Sequence, residues 1–224
     1  MLKAENVSMR YFRKTGEANH FYAVREASLG LNAGEVAVLT GRSGSGKTTL
    51  LHMLSGLLTP TSGTVTLDGA DLYGLKDGAL SRLRNQRLSV IPQGRSAVDT
   101  LTVLENVLLP AQLAGKPGDR AAAERWLNTL GILALADART GELSGGELRR
   151  MAIARALFQD AEVLLADEPT GDLDDANTAL ALSVLQSAAK ERGKAVLIVS
   201  HDSEASRYAD ALYRMDGGTL ERVE

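Results

Sequence analysis

The stretch GRSGSGKT, Gly41 to Thr48, has the residue types and spacing to hold a phosphate chain, fitting G-x-x-x-x-G-K-[ST]. Gly41, Gly44 and Gly46 let the backbone N–H groups around Arg42, Ser43 and Ser45 converge on phosphate oxygens at the positive end of a following helix. Lys47 adds a mobile point charge for β- and γ-phosphates, Thr48 offers a hydroxyl to Mg²⁺, and Thr49 completes the segment. The alternative is a plain glycine-rich turn. The phosphate reading requires a strand before the loop and a helix after it, and VAVL precedes it while KTTLLHMLSG, closed by Gly56, follows.

Three more apolar runs end in polar residues. VLLA (163–166) leads into Asp167 and Glu168, AVLIV (195–199) into Ser-His-Asp with His201, and LSVI (88–91) into Pro92 and Gln93. Beside a phosphate loop, Asp167 is placed to hold a metal through its water shell, and Glu168 to orient or deprotonate an attacking water. Without that loop, Asp-Glu-Pro would read equally well as a polar strand exit into a turn. His201 and Gln93 gain meaning only from their places at strand ends.

ELSGGELRR (142–150) contains a second glycine pair. Ser144 and Glu147 have the S-x-x-E spacing of a capping box. Capping does not require Gly145 and Gly146, which cost on the order of 1 kcal/mol each against Ala. Glycines there would leave the helix N-terminus bare for a phosphate. This helix lies away from Gly41–Thr48 in the chain pattern, so that phosphate is expected from a second molecule.

The elements that must position these groups are legible in outline. Residues 1–35 alternate in pieces, with Val7, Met9 and Tyr11 in one phase and Val24, Leu29 and Leu31 in another; with GTVTLDG (63–69) they predict half-buried antiparallel strands. The four apolar runs predict strands of a parallel sheet buried on both faces, whose carboxyl ends share one crevice. Between Gln93 and VLLA the spacing turns helical. Val103, Leu104, Val107 and Leu108 form one apolar face, and RAAAERWLNTLGI and GELRRMAIARALF supply two more helices, with Trp126 and Leu130 expected in the core. The predicted fold is α/β, a parallel-sheet core with an N-terminal antiparallel β subdomain and an inserted α-helical subdomain.

The 224 residues, 44% hydrophobic and 24% charged, exclude disorder and coiled coil. A net charge of −3 provides no broad basic field, so no nucleic-acid partner is expected. With no cysteine there can be no disulfide or thiolate metal site. No apolar run reaches the length of a membrane span, so the chain is expected to be soluble and any bilayer-crossing partner to be another polypeptide.

Gly41–Thr49, Gln93, LSGGE, LLADEP, GDLD and SHD, in this order, closely resemble the ATP-binding subunit of ATP-binding cassette (ABC) transporters over essentially the whole chain. The resemblance implies a P-loop NTPase (RecA-like) core in a single ABC ATPase domain, 1–224. The catalytic core with its β subdomain would be 1–93 and 160–224, and the helical subdomain carrying the signature 94–159. It implies ATP and Mg²⁺ as ligands, with two cassettes packed head to tail so that Ser144, Gly145, Gly146 and Glu147 close over the partner copy's ATP. By the same resemblance Gln93 would join Thr48 and Asp167 at Mg²⁺ and relay to a membrane subunit. Asp174 would lie in the loop linking the two sites, and His201 would contact the γ-phosphate. Tyr11 would stack on adenine, with Phe12 or Tyr22 as alternatives.

The sequence looks most like the branch serving lipoprotein release and macrolide-type efflux. ATP hydrolysis would then drive export or extraction by transmembrane permease subunits on separate chains, from a cytoplasmic position on the inner face of the membrane. Two other readings are a mechanotransmitter controlling cell-wall remodelling and a soluble non-transport ATPase. Two departures stand out: Pro92 and Gly94–Arg95–Ser96 flank Gln93, and Glu147 replaces the commoner glutamine of the signature.

Overall fold

The computed structural model describes residues 1–12 and 20–223. Strands β1 (Leu2–Phe12) and β2 (His20–Leu31) pair antiparallel, and β4 (Ser62–Leu67) and β5 (Ala70–Asp71) extend that sheet beyond β1. The pieces of alternation in this region have a structural cause. Asn6 and Glu26 take left-handed φ values of 50° and 42°, and the β1–β2 register shifts between Ala4 and Val7, resetting which residues face inward. Val7 and Met9 are buried, whereas Tyr11 is 38% exposed, so the expected phase ends before it.

The parallel strands are β3 (Val36–Thr40), β6 (Leu88–Ile91), β7 (Val163–Asp167) and β8 (Ala195–Val199), adjacent in the order β3-β8-β7-β6. Their pairing is parallel throughout, so all four carboxyl ends emerge on one side. Each side chain of β7 and β8 is buried, as an unbroken apolar run predicts for a sheet covered on both faces.

Two strands carry no sequence signal comparable to these. β9 (Ala211–Asp216) pairs parallel with β3, and β10 (Thr219–Arg222) pairs antiparallel with β9 and touches β2 at Thr219–Arg25. They join the antiparallel and parallel parts into one ten-stranded order.

Helix α1 (Lys47–Leu54) follows the phosphate-type loop, and Gly56, at φ 71°, ends it as expected. Helix α2 (Asp77–Arg87) precedes β6 and has no fully buried residue, packing only Leu80 and Leu83 partly against the core, so the apolar stripe by which a helix is read from sequence is narrow. Between β6 and β7 lie α3 (Val103–Leu113), α4 (Arg120–Thr129) and α5 (Gly145–Phe158). A capping box of Thr102 and Glu105 starts α3. Helix α6 (Asp175–Lys190) packs Ala181, Leu182 and Leu185 beneath the sheet. Among the described residues no helix is long and apolar enough to cross a membrane.

One apolar cluster runs from Val103, Val107 and Leu127 through Met151 and Ile153 to Val196 and Ile198, and a second fills the other face of the sheet around Leu50, Leu54 and Leu197. Each fully buried Leu or Ile contributes roughly 1.5–3 kcal/mol. Leu130 is core, as expected. Trp126 is only partly buried: it packs against the edge of the core, with the Arg192 guanidinium 5.2 Å from its ring centroid.

Candidate functional site: a phosphate-binding cleft at the strand ends

The carboxyl ends of the parallel strands open into a cleft of about 980 Å³. Lys47, Thr48, Thr49, Gln93, Glu168 and His201 line it, together with the aromatic residues Tyr11, Phe21 and Tyr22.

The loop before α1 is built for close approach. Gly41 has φ 151° and Gly46 φ 109°, and a Cβ on them would lie 2.3 Å from the Met215 carbonyl oxygen and 2.1 Å from that of Ala23. Strands β9 and β2 therefore press on the loop from behind, and only glycine fits. Lys47, 8% exposed, folds back over the loop and donates to the carbonyls of Gly41 at 2.7 Å and Arg42 at 3.0 Å. The ammonium is thus held where a phosphate chain would meet it, beside bare N–H groups at the head of α1.

Asp167 ends β7 as a buried carboxylate with neither oxygen hydrogen-bonded. Thr48 is close enough to favour its charged form, but not in hydrogen-bonding geometry. Burial dominates and raises its pKa. A buried carboxylate without a partner is costly unless a cation meets it. Asp167, the Thr48 hydroxyl and the Gln93 amide are hard oxygen donors suited to Mg²⁺, which takes few protein ligands and completes its shell with phosphate and water. Among the described residues there is no cluster of three or more His, Cys, Asp or Glu that could hold a metal ion.

Glu168 sits at φ 51°, an uncommon conformation for a non-glycine residue, fixed by its N–H donating to Val199 at 2.8 Å and its carbonyl accepting from Gly171 at 3.1 Å. The turn swings its side chain towards β8, where Oε2 lies 2.9 Å from His201 Nδ1. If that nitrogen carries the proton, it donates to the carboxylate and Nε2 is left for another partner.

The structure brings Tyr11, Lys47, Thr48, Thr49, Gln93, Glu168 and His201 to one cleft, with Ser43, Gly44 and Gly46 in its wall. Ser144, Gly145, Gly146 and Glu147 do not line it. Ser144 caps α5 as the spacing predicts: its hydroxyl accepts from the Glu147 N–H at 3.3 Å, and the Glu147 carboxylate accepts from the Ser144 hydroxyl and from the Ser144 N–H, each at 2.7 Å, which lowers the Glu147 pKa. The glycines have a reason within the chain that spacing did not supply. A Cβ on Gly146 would lie 2.9 Å from the Asp172 carbonyl oxygen, and one on Gly145 3.2 Å from Asp172 Cβ. Asp174 also stands outside the cleft and caps α6, accepting from the Asn177 N–H at 2.8 Å.

Three cleft residues carry no clear signal in the sequence pattern. Phe21 faces Tyr11 across the β1–β2 pair, ring centroids 5.8 Å apart, whereas Phe12 is 80% exposed and outside the cleft. Asp172, at φ 65°, lies between the cleft and the head of α5. Arg149 is buried in the cleft wall and donates to the Pro92 carbonyl at 2.9 Å. For Arg149 a faint signal existed: it falls three, four and seven residues before Ala152, Ile153 and Ala156, on the buried stripe of α5.

The ABC transporter family profile matches residues 24–171. Over 209 residues the chain is 35% identical to the ABC transporter ATP-binding protein YtrE of Bacillus subtilis, covering 92% of this chain and 90% of that one. It is 37% identical over 203 residues to the lipoprotein-releasing system ATP-binding protein LolD of Leptospira interrogans, covering 90% and 86%. The fold superposes with a TM-score of 0.92 on the bacterial ABC transporter cassette MJ0796, at 32% identity and covering 100% of this chain and 99% of that one. That cassette has been solved as a dimer, and again in a post-hydrolysis dimer bound to ADP and Pi.

Proposed function

We propose, from the premise that this chain belongs to the ABC transporter family, that it is the ATP-hydrolysing subunit of a transporter whose membrane-crossing parts are separate chains. It hydrolyses ATP in a cycle coupled to transport, and a homodimer is its working form. In the reading proposed, two copies pack head to tail around two ATP, and the cycle drives export or extraction of a substrate from the inner face of the membrane.

One observation carries the dimer reading: Lys47, Glu168 and His201 share a cleft that Ser144, Gly145 and Gly146 do not line, and Gly145 lines a smaller neighbouring pocket. A two-fold arrangement lets one such patch serve both sites. The segment 94–159 then acts as the arm that presents the Ser144–Gly146 head of α5 to the neighbour's γ-phosphate. A membrane subunit has a candidate seat on the same arm. An apolar groove of about 470 Å³ runs between α3 and the core, and Leu113, 73% exposed, stands at its edge.

Within the cleft, Tyr11 and Phe21 cover the adenine, the Gly41–Thr49 loop holds the phosphates, and Glu168 accepts a proton from the attacking water or orients it. His201 stabilises the γ-phosphate charge. Thr48, Asp167 and Gln93 would hold Mg²⁺, which when bound neutralises charge on the β- and γ-phosphate oxygens. The protein's contribution is positioning and electrostatics rather than covalent chemistry.

Glu168→Gln is expected to bind ATP, lose turnover and elute as a dimer in gel filtration with ATP. If it elutes only as a monomer, the sandwich arrangement is wrong.

A further inference from the structure

Arg149 is the one charged side chain from α5 that enters the cleft wall, and it is only 7% exposed. A buried guanidinium is expensive unless something fixed receives its donors. One donor goes to the carbonyl of Pro92, the residue before Gln93, at 2.9 Å. Its Nη2 lies against Gly171, 3.6 Å from where a Cβ on that residue would sit. The charge faces Asp172, Asp167 and Glu168. Arg149 therefore touches or faces the loops after β6 and β7, and it is anchored in the helix whose head carries Ser144.

We propose that Arg149 is a positioning residue for the reaction: it sets the register of Gln93, and through it of the metal-side oxygens, to the position of α5. A second tie strengthens the geometry. Arg155, further along α5, donates to the Ser96 carbonyl at 2.8 Å and hydroxyl at 2.6 Å. The Gln93–Ser96 loop is thus pinned at both ends to one rigid helix. Arg155 lies away from the cleft, so of these two ties only Arg149 reaches the cleft wall. The inference rests on Gln93 acting at the site, as proposed above.

The test compares turnover of wild type, Arg149→Gln, Gln93→Ala and the double variant. Arg149→Gln is expected to lower kcat about tenfold or more with KM for ATP within about threefold, a loss of positioning rather than of binding. Because both residues act through one loop, the double variant should be no slower than the slower single variant. Amide exchange of the nucleotide-free protein should quicken about threefold or more at Gly94–Ser96 and stay unchanged in α3. Wild-type kcat in Arg149→Gln, losses that multiply in the double variant, or unchanged exchange at Gly94–Ser96 would each overturn the proposal. Wild-type turnover in Gln93→Ala would overturn it together with the role given to Gln93, whereas a slow Gln93→Ala beside a normal Arg149→Gln removes only this inference. Should Arg149→Gln fail to fold, Arg149→Lys, which keeps the charge but only one donor nitrogen, runs the same cycle.

Discussion

His201 Nδ1 lies 2.9 Å from Glu168 Oε2, joining the residues that follow β8 and β7 although 33 positions separate them in the chain. An ionised Glu168 accepts from an Nδ1–H, and Nε2 must also carry a hydrogen to donate to a phosphate oxygen in the role proposed for His201. His201→Ala is expected to lower kcat about a hundredfold with KM for ATP changed less than about threefold, since the group acts on charge that develops in the transition state. Steady-state kinetics decide it, and a loss carried by KM alone would assign His201 to binding.

Asp167 couples stability to pH. Burial raises its pKa above the ordinary 3.8, so the folded chain holds the proton more tightly than the unfolded one. Without nucleotide and metal, that contribution falls as pH rises from about the ordinary value through the raised one. Asp167→Asn should therefore melt higher than wild type at neutral pH, by roughly 2–4 °C for each kcal/mol relieved, and converge with it in acid. The same variant should not hydrolyse ATP. Melting curves at several pH values, with and without Mg²⁺·ATP, read both.

Gly46 tolerates no side chain. With φ 109° and the Ala23 carbonyl oxygen 2.1 Å from where a Cβ would lie, Gly46→Ala is expected to cost at least about 2 kcal/mol, because strain and clash act together. Gly44 has φ 77° but open space around it, so Gly44→Ala should cost only roughly 1–2 kcal/mol. Urea denaturation of the two variants tests the ranking.

Tyr11 and Phe21 divide an aromatic wall. Tyr11→Ala should raise KM for ATP about tenfold and leave kcat within about threefold, as loss of a stacking surface does. Phe12→Ala, at an exposed position outside the cleft, should change neither. Equal effects from both would move the adenine elsewhere.

Much of the site was readable because its residues sit at the ends of apolar runs whose type is unambiguous. VAVL, LSVI, VLLA and AVLIV are too short for helices and too continuous for half-exposed strands, and parallel pairing sends the residues after each of them to one crevice. The capping box at Ser144 was equally local, since it needs only residues three apart. Helix α2 and strand β10 are hard to read: the first has no fully buried residue and packs only Leu80 and Leu83 partly against the core, and β10 has one residue of its four partly covered, whereas β9 alternates with Ala211, Tyr213 and Met215 buried.

The sequence by itself determined the chemistry available at each strand end and the periodicity that makes those strands parallel, because both are properties of neighbouring residues. Only the tertiary structure decided why Gly41, Gly46 and Gly146 must be glycine, since the carbonyl oxygens that exclude a Cβ come from Met215, Ala23 and Asp172, and why Gly145 is crowded, by the Asp172 side chain. It alone showed that Arg149, written among surface-like charges, turns into the cleft to meet Pro92. Close approach between distant backbones leaves no trace in local spacing, because excluded volume depends on where the chain returns rather than on what it contains.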